Sequence, residues 1–277
     1  MFVSAAICTT LLIGQSKKEI VYRVIGETEL KCDYYAPAIT PEKPAPFVIV
    51  IHGGTWMAGK KEDMSSLCEA LSKEGIASAT IQYRLAPRNK WPSMIDDCQS
   101  AVRYFRANAK QYSIDPDRFG ATGASAGGHL ALLLGLTDTW DKETKAWPDV
   151  SSKVSCVVNL FGPTDLRADF DRQIAGLLSN AILGKPIEQA ADDIKAFSPV
   201  TYVTKEAIPI FTLQGDSDNV VPPMQATRLD DAMKAVGRPH ILRMVKGLGH
   251  TIDLKNPDCA SALQEAIAFF KSQFAMQ

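Results

Sequence analysis

The sequence predicts a doubly wound α/β fold: a mostly parallel central sheet of about eight strands with flanking helices, in a single domain. Three observations carry this. Short, continuous apolar runs recur, such as residues 47–51 (FVIVI) and 154–161, as strands buried on both faces require. Stretches of helical periodicity separate them. The run Gly123-Ala124-Ser125-Ala126-Gly127 lies between one such strand and an apolar helix. At 277 residues and 46% hydrophobic, the chain can build one large core, and no linker-like tract divides it.

Taken in order, residues 19–24 and 30–36 form an edge hairpin around Gly26. Pro37, Pro41, Pro44 and Pro46 mark a connection. Strand 47–51 runs into His52-Gly53-Gly54-Thr55-Trp56. A helix over 62–73 stops at Gly75, strand 76–83 follows, and 84–92 is a loop. Ser93 caps a helix to about Tyr112, with Ile95, Cys98, Val102 and Phe105 on one face and Cys98 as a small core residue. Strand 118–122, the serine turn and the apolar helix come next. After strand 154–161, residues 163–207 are a longer, partly helical insertion. Charged residues (Asp165, Arg167, Asp169, Asp171, Arg172) crowd its first part. Ile174, Leu177, Leu178, Ile182 and Leu183 form one stripe that docks it onto the domain. Strand 209–215, helix 225–236, strand 241–245 and a terminal helix striped by Leu263, Ile267, Phe270 and Phe274 complete the chain.

Composition excludes several functions. A net charge of -1 offers no electrostatic case for nucleic acid or an anionic membrane. No apolar run is long enough to span a bilayer. The six cysteines are scattered without a C-x-x-C pair, so neither zinc nor a thioredoxin-like site is expected, and no other metal or cofactor is called for. Residues 1–16 are a candidate signal peptide: an apolar run over 2–13, then Gly14-Gln15-Ser16, but with no basic residue ahead of it. Export to the periplasm or medium, or a cytoplasmic protein with an apolar leader, are the two readings. The domain proper is 17–277. Lys60 and Lys61, among acids, read as a solvated loop face.

The chemistry points to Ser125. In G-x-S-x-G between strand and helix, the chain reverses within a few residues and the hydroxyl is held at the tip of the turn, with the helix's positive end behind it. A serine needs a base, and there are four histidines. His250 follows the last strand, at the sheet end where Ser125 emerges, and is the base by position. His129, one helical turn past Ser125, reads as a hydrogen-bonded helix residue; His240 reads as surface. Asp216 and Asp218, after strand 209–215, are the candidate acids.

Four separated pieces of sequence resemble one family: HGGTW at 52–56, YRLAP at 83–87, GASAGGH at 123–129, and GDSDNVVP at 215–222 followed by GLGH at 247–250. Over roughly residues 20–275 the chain resembles the α/β-hydrolase superfamily. Within it, the chain is similar to the small esterases and lipases with an HGG loop: hormone-sensitive-lipase-like carboxylesterases and compact acetyl-xylan and feruloyl esterase-like enzymes. The order serine, acid, histidine also matches. The resemblance implies a triad of Ser125, Asp218 and His250, the pattern G-x-x-D-x-x-V-P selecting Asp218 and leaving Asp216 to cap the turn. It implies an oxyanion hole from the backbone of Ala126, Gly54 and Thr55, although many relatives carry a third glycine where Thr55 stands. His52 is structural by the same analogy, and Arg84 with Asp97 holds the YRLAP loop, with Arg84 binding an anionic substrate as the weaker alternative. Trp56 either lines the substrate pocket or packs beneath the loop. With only a hairpin before strand 47–51, no large cap is expected, and the site is open except for the 163–207 insertion. The function expected is a serine carboxylesterase for short acyl groups, such as acetyl or feruloyl, on a small-molecule or carbohydrate alcohol. The alternatives are an amidase of the formamidase kind and a non-catalytic binding protein on the same fold.

Overall fold

The computed structural model describes residues 17–39, 42–137, 147 and 149–276. Residues 1–16, with Cys8 and the signal-peptide reading, lie outside them. The strands are β1 (Lys17–Ile25), β2 (Thr28–Tyr35), β3 (Ala45–Ile51), β4 (Ala77–Ile81), β5 (Ile114–Ala124), β6 (Cys156–Leu160), β7 (Ile210–Gly215) and β8 (His240–Val245). The helices are α1 (Ser65–Lys73), α2 (Ser93–Ala107), α3 (Ala109–Tyr112), α4 (Ala126–Leu136), α5 (Arg172–Leu178), α6 (Ala191–Ala196), α7 (Met224–Ala235) and α8 (Pro257–Ala275).

Among the described residues these strands form one sheet, ordered β1-β2-β4-β3-β5-β6-β7-β8. The hairpin β1–β2 joins β4 antiparallel, and every later pairing is parallel. The continuous apolar run of β3 is explained by its two faces. Phe47, Ile49 and Ile51 enter the core on one side with α2 and α4, while Val48 and Val50 enter the other with α1 and α8. The chain leaves β3 for β4 on one side and returns to β5 on the other. This reversal opens a crevice at the carboxyl ends of β3 and β5, the place where doubly wound sheets bind ligands. Ile51 is paired with Gly123, so the HGGT loop and the serine turn leave the sheet side by side.

The insertion is closed at its base by polar contacts. The Thr164 carbonyl accepts the Val200 N–H at 3.0 Å. Gln225 of α7 accepts the N–H groups of Thr164 and Asp165 at 2.8 and 2.7 Å. It donates to the carbonyls of Asp165 and Ala168.

Four expectations are corrected. Ser93 is the first helical residue rather than the cap; Pro92 takes the cap position, and the helix breaks at Asn108 before α3. The apolar stripe of the insertion is divided: Leu178, Ile182 and Leu183 pack against the core, but Ile174 and Leu177 are 53% and 72% exposed. Five residues at helical spacing did not form one face because the helix α5 ends at Leu178 and gives way to a π-helical turn. His240 is not on the surface. Its side chain is buried between Asp230 and Thr212, at 2.9 Å from each. Lys61 is not solvated either, being 3% exposed. Its ammonium donates to Asp33 at 2.7 Å and Glu62 at 2.8 Å and pairs with Glu19 at 3.1 Å. The partners that bury it come from the hairpin, distant in sequence.

A surface lysine changes stability by less than about 0.5 kcal/mol when truncated. Lys61→Ala should instead cost about 3 kcal/mol, because the wholly buried Asp33 keeps only Lys17. Urea unfolding of the variant measures this; a loss under about 1 kcal/mol would contradict the buried pair.

Candidate active site

The site starts from a backbone constraint. Ser125 has φ 56° and ψ −122°, a conformation unfavourable for a residue with a side chain and costing about 1–3 kcal/mol. Neighbours hold it there. Its N–H donates to the Leu160 carbonyl of β6 at 2.9 Å, and its carbonyl accepts the His129 N–H at 3.0 Å. The helix α4 lies so close to β3 that a Cβ on Gly127 would overlap the carbonyls of Ile51 and His52. Only glycine permits this approach.

The structure brings Ser125, His250 and Asp218 together. The His250 Nε2 lies 2.8 Å from the Ser125 Oγ, and its Nδ1 lies 2.7 Å from the Asp218 Oδ2. A carboxylate only accepts, so the imidazole carries its proton on Nδ1 and presents Nε2 to the serine hydroxyl. Asp218 is held firmly. Its Oδ1 accepts the N–H groups of Val220 and Val221 at 2.8 and 2.9 Å. Its Oδ2 also accepts the Gln214 amide at 3.1 Å. Burial alone would raise the Asp218 pKa, but the His250 bond and the Val221 and Val220 N–H groups outweigh it and hold the carboxyl below its ordinary value. Phe161 sets its ring against the His250 imidazole, centroids 4.9 Å apart.

Asp216 lies outside this relay. Its Oδ1 accepts from the Gly247 N–H at 2.7 Å and the Ser217 hydroxyl at 2.9 Å. It ties the loop after β7 to the loop that carries His250.

The HGGT loop turns sharply. Gly54, Thr55 and Trp56 have φ of 112°, 55° and 59°. A Cβ on Gly54 would overlap the Ala58 carbonyl. Gly53 lies against the serine, since a Cβ there would stand 3.3 Å from that of Ser125. Gly54 and Thr55 are exposed to solvent. Ala126 opens α4, where helix geometry leaves the N–H without an intrahelical acceptor. The loop that carries Gly54 and Thr55 thus leaves β3 beside the serine turn, and Ala126 follows Ser125 directly.

Trp56 packs beneath the loop. It is 3% exposed and packs on Phe197. It also walls a small apolar cavity of about 30 Å³ beneath the insertion, with Phe170, Leu178, Ile182 and Phe197 among its lining. Its indole N–H donates to the Nδ1 of His129 at 3.2 Å. Burial pushes the His129 pKa down to about 3, so this imidazole is neutral at neutral pH. His52 stacks on Tyr83, and its Nδ1 lies 2.7 Å from the Gly53 carbonyl, inside the loop. Arg84 donates to Asp97 from its backbone at 2.8 Å and from Nε at 3.0 Å, holding the YRLAP loop to α2; Arg23 joins from β1 at 2.6 Å. Among the described residues no group of three or more His, Cys, Asp or Glu side chains is placed to hold a metal.

Sequence reasoning missed Gln214, Phe161 and Phe197. Gln214 left a signal: it is a polar residue inside the apolar strand run PIFTLQG. Phe161 and Phe197 left none, because an aromatic residue beside a strand end or a helix is ordinary core.

The two acids are separable. Asp218→Asn should cost about 10²–10⁴ in kcat with little change in KM, since the imidazole loses the partner that fixes its proton. Asp216→Asn should cost about 1 kcal/mol of stability and spare kcat. Steady-state kinetics on an activated ester would reassign the acid if the ranking in kcat were reversed.

Comparison with known proteins follows the same lines. A profile of the BD-FAE family matches residues 32–233. Esterase LipC of Mycobacterium tuberculosis is 30% identical over 239 residues, covering 84% of this chain and 59% of LipC. The chain thus spans about three fifths of that relative's length. A truncated carbohydrate esterase from gut microbiota superposes with a TM-score of 0.82 at 28% identity, covering 94% of this chain and 97% of the other. The butyrate-bound esterase Est2 of the planctomycete Thermogutta terrifontis gives 0.79 at 25% identity, covering 95% of each. With a sheet, crevice and strand order of this kind, and a family profile matched over most of its length, the chain belongs to the BD-FAE family of the α/β-hydrolase superfamily.

Proposed function

We propose that the chain is a serine carboxylesterase that hydrolyses short-acyl esters of a carbohydrate alcohol through an acyl-enzyme. The observation that carries this reading is the unbroken relay from the Ser125 Oγ through His250 to Asp218. His250 takes the hydroxyl proton at Nε2 as the Ser125 Oγ attacks the ester carbonyl. The carbonyl oxygen becomes an oxyanion facing the N–H groups of Ala126, Gly54 and Thr55. The imidazolium is stabilised by the Asp218 carboxylate. It returns the proton to the leaving alcohol, and water then repeats the sequence on the acyl-serine. Short acyl groups are favoured because the space beneath the insertion is nearly filled: the cavity lined by Trp56 and Phe197 holds only about 30 Å³. The carbohydrate alcohol is suggested by the exposure of Gly54 and Thr55, which leaves room for a bulky group, and by the likeness to a carbohydrate esterase. The butyrate seen in the Est2 relative supports the acyl size.

The Ser125→Ala variant should lose about 10⁴–10⁶ in kcat on p-nitrophenyl acetate, with folding intact. Near-normal turnover would end the covalent mechanism. Across p-nitrophenyl esters from C2 to C12, kcat/KM should peak between acetyl and butyryl and fall by about tenfold or more at C8, where the acyl carbon is displaced from attack geometry. Each buried methylene would otherwise add about 0.8 kcal/mol. A maximum at C8 or beyond would mean that the chain enters the apolar cavity beneath the insertion, and would reject the short-acyl site.

A further inference from the structure

Trp56, His129 and Phe197 come from three parts of the chain: the HGGT loop, the helix behind the serine, and the insertion. They meet in one buried chain of hydrogen bonds. The indole N–H of Trp56 donates to the His129 Nδ1 at 3.2 Å, and the His129 Nε2 lies 2.6 Å from the Phe197 carbonyl. The three residues are 3%, 0% and 3% exposed. The ends of the chain fix its middle. An indole N–H only donates and a peptide carbonyl only accepts, so only the neutral imidazole with its proton on Nε2 serves both. The rings also pack: His129 stands at 83° to Trp56 and its centroid is 4.3 Å from that of Phe197.

What this chain holds is a strained segment. Thr55 and Trp56 both lie at positive φ, which costs a side-chain-bearing residue about 1–3 kcal/mol and persists only where the surroundings over-determine it. At the Gly54 end, the Met57 and Ala58 N–H groups donate to the Gly54 carbonyl at 3.0 and 2.9 Å. At the Trp56 end there are two restraints: the Ala86 N–H on the Trp56 carbonyl at 2.9 Å, and the indole on His129. His129 is rooted in turn on the serine, its N–H donating to the Ser125 carbonyl. A continuous path of buried, directional contacts therefore runs from Ser125 through His129 and Trp56 to the loop.

We propose that His129 is a positioning residue for ester hydrolysis: through Trp56 it sets the HGGT loop against Ser125 in the geometry the oxyanion needs, and through Phe197 it docks the insertion at the same point. The proposal rests on the serine-esterase reading above. The loop N–H groups act on charge that exists only once the serine has attacked, so loosening them lowers kcat and leaves ground-state binding nearly unchanged.

The test compares H129L, H129Q, W56F and the H129L/W56F double variant on p-nitrophenyl acetate. H129L should lose about tenfold or more in kcat, with KM within about threefold and a cooperative thermal transition. H129Q, whose amide offers both an acceptor and a donor, should keep most of kcat. The double variant should be no slower than the slower single one, because both break one connection. Should H129L fail to fold, W56F, which removes the donor and keeps an aromatic ring, carries the same kcat and KM comparison. A kcat within about twofold of the unsubstituted protein, a loss confined to KM, or losses that multiply in the double variant would overturn the proposal. If the unsubstituted protein turns over no ester, the serine-esterase reading fails. His129 is then judged by its own ¹⁵N shifts: a proton on Nε2 at neutral pH retains the link, and an Nδ1–H or doubly protonated ring removes it.

Discussion

The junction of β5 and α4 is the constraint on which the rest depends. Ser125 sits in a conformation that a free peptide would leave at once. It persists because the strand before it is paired on both sides and the helix after it is buried from Ala126 to Leu134. Neither element can rotate to relieve the turn without opening the core. The turn aims the hydroxyl out of the sheet at the one crevice the topology provides. The absence of side chains at Gly123 and Gly127 lets β3, β5 and α4 come close enough to close that corner.

Around the turn, two kinds of polar contact have different tasks. One set lines up the proposed path of a proton: serine hydroxyl, imidazole, carboxylate. There the protonation states follow from what each partner can donate or accept, and Asp218 is pinned by backbone N–H groups so that its charge stays in place. The other set carries no proton and acts as a frame. Asp216 braces the His250 loop, Asp97 holds the YRLAP loop with Arg84 and Arg23, and Gln225 closes the base of the insertion. The contacts of Asp97 and Gln225 are buried, and breaking them would leave a desolvated polar group without a partner; the Asp216 brace is exposed. They fix the loops without entering the reacting centre.

How much of this the sequence disclosed depends on range. The sheet and its helices were legible because burial on two faces leaves continuous apolar runs, and a buried helix leaves its own period. The residues that meet at the crevice were legible because the serine turn demands glycines at set offsets. The position of His250 followed from strand order alone, and Asp218 was selected by resemblance. Two of the misreadings share one cause. Lys61 and His240 are polar residues whose burial depends on partners far along the chain: Asp33 on β2 bonds the Lys61 ammonium, and Thr212 sits on the strand beside His240. Local composition says solvent in both cases. The stripe 174–183 failed for a related reason, since periodicity assumes an unbroken α-helix and the chain changes pitch at Ser179. Trp56 and His129 were each noticed singly; that they bond to one another appears only when the loop and the helix are placed together.

The central claim is that Ser125 is a nucleophile activated by His250. The most direct measurement is reaction with a fluorophosphonate, followed by intact mass and peptide mapping. The account predicts one adduct per chain, on the peptide holding Ser125, with a second-order rate that falls by about 10³ or more in His250→Ala. An adduct on another serine, or a rate at Ser125 that does not depend on His250, would contradict it.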